Sequence, residues 1–152
     1  MKQIPNKMFF SWVETEIANG RSVKFRLKGV SMLPFIRDGK DEVVLSPCSE
    51  KDLSPMDVIL FRYHEKHLLH RIIRREGDHL FIQGDGSFVA KEECTVDDVI
   101  GIVQAIVRPS GKTLSVDSWK WKLQSRIWMN IGIFKTPILH FIHILIRIRR
   151  NS

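Results

Sequence analysis

Ser31 stands in Lys28-Gly29-Val30-Ser31-Met32-Leu33-Pro34-Phe35-Ile36-Arg37-Asp38-Gly39, where an alternating stretch gives way to turn residues. Pro34 fixes its own φ and biases Leu33 toward extended geometry. A hydroxyl at the end of a strand, followed by an irregular turn, can be exposed beside an unpaired backbone N–H. Those are the needs of a nucleophile with an oxyanion donor, here the N–H groups of Ser31 and Met32. A serine also needs a base within hydrogen-bond reach. His70, in Leu68-Leu69-His70-Arg71-Ile72-Ile73, shares one face of a strand with Leu68 and Ile72. Asp85, in Gly84-Asp85-Gly86, puts a carboxylate at a turn, where it could orient an imidazole. Taken singly, each residue also suits a purely structural part: a turn serine, a sheet histidine, a turn aspartate.

His64, His67 and His70 form His-x-x-His-x-x-His. On a strand the middle ring points away from the other two, so no metal site is expected, and no cofactor. Cys48 and Cys94 stand far apart, without a Cys-x-x-Cys pair or a disulfide framework. A reducing compartment is the simpler reading.

The elements that must position these residues are short. Residues 6–19 have Phe9, Trp12, Val13 and Ile17 at near-helical spacing, with Asn6 as N-cap and Asn19-Gly20 as stop. From Ser22 to Lys28 the period becomes two, as in a half-buried strand. Further apolar runs follow at Glu42–Leu45, Val58–Tyr63, Leu68–Ile73, Leu80–Gln83, Val99–Val107 and Thr113–Val116, separated by turn residues. The fold class expected is therefore mainly β. A coiled, partly closed antiparallel domain spans residues 21–117, a helix within residues 1–20 packs on it, and a helical tail covers residues 118–152.

The 152 residues carry a net charge of +7, unevenly placed. Residues 108–152 hold nine Lys/Arg against one acid, whereas residues 1–107 hold fifteen against sixteen. A near-neutral body argues against nucleic acid as a partner. The stretch Ile127–Ile148 has fourteen large apolar residues in 22 and ends among Arg147, Arg149 and Arg150. Trp119, Trp121 and Trp128 belong to the same region. An aromatic and cationic composition suits an anionic membrane interface. Lys135 and Pro137 favour two short helices over one spanning segment. A spanning tail, or a hairpin packed on the β domain, are the alternatives. No secretory signal is evident at the N-terminus. The expected location is cytoplasmic, or peripheral at the cytoplasmic membrane.

Five segments together resemble the superfamily of signal peptidases and LexA-type self-cleaving repressors. They are Gly29-Val30-Ser31-Met32-Leu33-Pro34, Asp38-Gly39, Asp57-Val58-Ile59-Leu60-Phe61, His70-Arg71-Ile72-Ile73 and Gly84-Asp85-Gly86, in the family order. His70 precedes Arg71 where the bacterial type has Lys-Arg, so the chain looks like the Ser–His branch of endoplasmic-reticulum and archaeal-type signal peptidases. The resemblance implies a serine endopeptidase that cleaves a leader or signal segment of a peptide or preprotein. Ser31 would be the nucleophile, His70 the base and Asp85 the orienting carboxylate, with Lys66 as reserve base. Met32 and Pro34 would edge the groove for the substrate strand. The second acidic position of the His-type enzymes has four candidates: Glu92, Glu93, Asp97 and Asp98. The family's membrane anchor before the serine is not matched. A non-catalytic or self-cleaving member of the fold, acting as an adaptor through its tail, is the alternative.

Overall fold

A computed structural model describes residues 6–26, 28, 32–86, 91–131 and 135–151. Helix α1 (Asn6–Ala18) turns Val13 and Ile17 into the core and leaves Met8 and Trp12 exposed. Its end follows from Asn19-Gly20. Gly20 adopts φ +79°, a left-handed conformation that glycine takes without a steric penalty. The Gly20 N–H donates to the Ile17 carbonyl at 2.9 Å and the Arg21 N–H to the Glu16 carbonyl at 3.0 Å. This bond pair closes the last turn.

Eight strands form one antiparallel sheet: β1 (Val23–Arg26), β2 (Glu42–Ser46), β3 (Val58–Tyr63), β4 (Lys66–Glu76), β5 (His79–Gln83), β6 (Glu92–Thr95), β7 (Val99–Val107) and β8 (Thr113–Ser115). Their order is β1-β2-β7-β3-β4-β5-β6, with β8 on β7. Among the described residues no pairing joins β1 to β6. The sheet is therefore open, which corrects the expectation of partial closure. Bulges interrupt its ladders. The β2 register on β7 passes over Gln104, and the β3 register on β7 passes over Ile100. Each extra residue bends the strand and increases its twist.

Two cores flank the sheet. Val13, Ile17, Phe25, Leu45, Leu60, Val103 and Ile106 pack together on the α1 side. Ile59, Phe61, Ile72, Leu80, Ile82 and Cys94 form the second. Strand β3 feeds both: Val58 and Leu60 enter the first, Ile59 and Phe61 the second. Burial on two faces explains its unbroken apolar run. Gly101 on β7 lies where a Cβ would stand 2.9 Å from the Ser46 carbonyl oxygen, so only glycine fits without displacement.

The tail forms two helices, α2 (Trp119–Asn130) and α3 (Lys135–Arg150). Ser118 caps α2, its hydroxyl accepting the Trp121 N–H at 3.3 Å. Pro137 falls in the first turn of α3, where its missing N–H costs nothing. No helix among the described residues is long and apolar enough to cross a membrane. Trp121, Ser125 and Trp128 are buried, so α2 packs on the β domain. Trp121 and Trp128 are thus core residues rather than the expected membrane or partner contacts. Trp119 is 70% exposed.

Candidate active site

Strand β4 carries two adjacent polar residues that are both buried, His70 and Arg71. Successive strand residues face opposite sides, and the two find different partners. His70 Nδ1 lies 3.1 Å from Glu92 Oε2, and its ring meets the Phe61 ring edge-on at 6.2 Å. Arg71 makes a two-point contact with Asp85: Nε donates to Oδ1 at 2.8 Å and Nη2 to Oδ2 at 2.6 Å. Its Nη1 donates to the Met56 carbonyl at 2.9 Å and to Ser125 Oγ of α2 at 2.7 Å.

Asp85, expected to orient His70, is therefore bound to Arg71, and the carboxylate against the imidazole is Glu92. The Asp85 backbone carbonyl also accepts the Trp128 indole N–H at 3.1 Å. Asp85 fastens α2 to the sheet. Glu92, one of four acids considered from the sequence, reaches His70 because β6 pairs with β5, placing Glu92 opposite Ile82.

His70 lines a cavity of about 420 Å³ together with Phe9 and Phe10 of α1, Phe25, Met32, Leu60 and Leu69. Arg26, Lys28 and His67 add polar groups to its wall. His67 stacks on Phe10, with ring centroids 4.8 Å apart, and its Nε2 lies 2.7 Å from Glu14 Oε1. Glu14 also takes two bonds from Arg62, each 3.0 Å. Arg62 first, then His67, hold its carboxyl below the usual value against some desolvation. This cluster ties α1, one wall of the cavity, to β3 and β4.

Ser31, with Gly29 and Val30, lies outside the described residues. Its successor Met32 is buried and lines the His70 cavity. The turn that follows is held at two points. Asp41, fully buried, accepts the Arg37 N–H at 2.8 Å, Arg37 Nη2 at 2.9 Å and Arg108 Nη1 at 2.6 Å. Burial opposes ionisation of Asp41, but the Arg37 hydrogen bonds and the charges of Arg108 and Arg37 outweigh it. Its pKa is held below the ordinary carboxylate value. The second hold is Phe35, whose ring meets Trp121 at 5.9 Å and Trp128 at 5.7 Å. The Arg71 guanidinium stands 5.3 Å from the same ring.

Pro34 is half-buried, follows a cis peptide bond, and is not among the described residues that line the cavity. Lys66, the reserve base, is exposed at the hairpin end of β4 and does not line the cavity either. The three spaced histidines diverge in their partners: Tyr63 beside His64, Glu14 at His67 and Glu92 at His70. Among the described residues no group of three metal-ligating side chains is gathered.

The arrangement is a buried imidazole paired with a carboxylate. Glu92 holds one ring nitrogen of His70, and His70 also lines a cavity walled by both apolar and polar groups. Sequence reasoning missed the Asp41 hold and the Arg71–Asp85 pin. The second had a signal, since Arg71 directly follows His70 on a strand and must face the other way. Compared with known proteins, the chain matches no family model and no curated protein.

Proposed function

We propose that the chain is a serine peptidase-like hydrolase in which Ser31 is the nucleophile, His70 the general base and Glu92 the carboxylate that orients the imidazole. The observation that carries this reading is His70 itself. It is buried, held at Nδ1 by Glu92, and shares a cavity with Met32, the residue bonded to Ser31. The bulged antiparallel sheet and the five ordered motifs are in keeping with a signal-peptidase or LexA-type fold.

In this mechanism Glu92 accepts the Nδ1–H of His70, leaving Nε2 to take the proton of the Ser31 hydroxyl. The hydroxyl oxygen attacks a peptide carbonyl, and backbone N–H groups at Ser31 and Met32 donate to the oxyanion. The C–N bond then breaks as His70 returns its proton to the leaving amine. Water, activated by the same imidazole, hydrolyses the acyl ester and frees Ser31. The substrate is a peptide or preprotein bearing a leader segment, and the aromatic wall of the cavity would receive an apolar side chain.

A fluorophosphonate reagent tests the reading, because an activated serine displaces its fluoride and retains the phosphonyl group. Mass spectrometry is expected to find one adduct on the peptide containing Ser31. The adduct disappears in Ser31→Ala and forms about 10²–10⁴-fold more slowly in His70→Ala. Labelling that is absent from the wild type, or unchanged in Ser31→Ala, overturns it.

A further inference from the structure

Helix α3 has two apolar faces. Leu139 is fully buried, and Ile142, His143 and Ile146 are half-buried, marking the side turned to the protein. At about 100° per residue, Phe141, Ile144, Leu145 and Ile148 fall on roughly the opposite side, and all four are exposed. Exposed Arg147 and Arg149 border that stripe on its two flanks. Helix α2 repeats the design. Trp119, Leu123 and Ile127 recur every fourth residue and are exposed, with Lys120, Lys122 and Arg126 exposed around them.

We infer that α2 and α3 dock the protein on an anionic membrane surface, with the two stripes entering the headgroup–acyl boundary and the arginines and lysines meeting lipid phosphates. Charge decides the occupant. A second copy of the chain would bring like-charged rims together, and residues 108–152 carry nine Lys/Arg against one acid. Anionic lipid neutralises those rims while its acyl chains accept the stripe. Neither helix can cross, so the docking is in-plane. The inference does not depend on Ser31.

The test uses the full chain and vesicle flotation. Vesicles of phosphatidylcholine with phosphatidylglycerol are expected to carry the protein, and added salt weakens the binding. The variant Arg147→Gln/Arg149→Gln/Arg150→Gln should bind about 10²-fold more weakly. Phe141→Asp/Ile148→Asp should abolish flotation while circular dichroism stays unchanged. Three results overturn the proposal. One is no flotation with anionic vesicles. Another is equal flotation on pure phosphatidylcholine that ignores the arginine changes. The third is a solution dimer by light scattering that Phe141→Asp/Ile148→Asp disperses, with no vesicle binding.

Discussion

His70 and Arg71 are neighbours on β4, yet each holds its own carboxylate: Glu92 at 3.1 Å from the imidazole and Asp85 at 2.6 Å from the guanidinium. The strand pleat keeps the two pairs on opposite faces. One pair borders the cavity, and the other fastens a helix.

The two carboxylates should therefore fail differently. Glu92→Gln is expected to slow fluorophosphonate labelling of Ser31 by about 10²-fold or more, with the unfolding midpoint nearly unchanged. Asp85→Asn is expected to lower the midpoint while the labelling rate of folded protein persists. Labelling rates beside thermal unfolding curves check both, and the reverse pattern would return the orienting role to Asp85.

Arg71→Met leaves Asp85 buried without its partner. Breaking a buried pair from one side costs about 3–5 kcal/mol. Arg71→Lys should recover little, because a lysine cannot reproduce the two-point contact and the bond to Ser125 together. The double variant Arg71→Met/Asp85→Leu should lose less than the two single losses combined. Urea unfolding of the wild type, Arg71→Met, Asp85→Leu and the double variant measures the coupling.

Asp41 makes stability depend on acidity with a definite sign. Its pKa is lowered in the folded protein, burial notwithstanding, by Arg37 and Arg108. Its contribution is thus present above the ordinary carboxylate value of 3.8 and is lost as the pH falls below it. Asp41→Asn should cost about 1–3 kcal/mol near neutrality, and the gap from wild type should narrow only in acid. Melting temperatures of both proteins across pH 3 to 7 report this. A constant gap would mean that Asp41 acts by shape alone.

Much of the sheet was legible because burial leaves a period. Val58–Tyr63 and Val99–Val107 have the bounds that their apolar runs suggest. Strand β6 was not legible: Glu92-Glu93-Cys94-Thr95 turns only Cys94 fully inward and reads as polar loop. The same strand delivers the carboxylate at His70, so missing β6 meant missing that contact. The inward placement of His70 could be read from Leu68-x-His70-x-Ile72. The Gly84-Asp85-Gly86 turn drew attention to the wrong acid for that ring, since nothing local shows that a neighbouring arginine claims it. Trp121 and Trp128 misled for a related reason. Composition cannot tell an aromatic that faces lipid from one that packs on Phe35.

The bond from Arg71 to Ser125 ties α2 to the sheet. A chain truncated before Trp119 would open a cationic hole lined by Phe35 and would free the loop after Ser31 from its aromatic clamp. Any pull exerted on the helical end would reach the sheet through the Arg71–Ser125 and Trp128–Asp85 bonds and the Phe35 contacts.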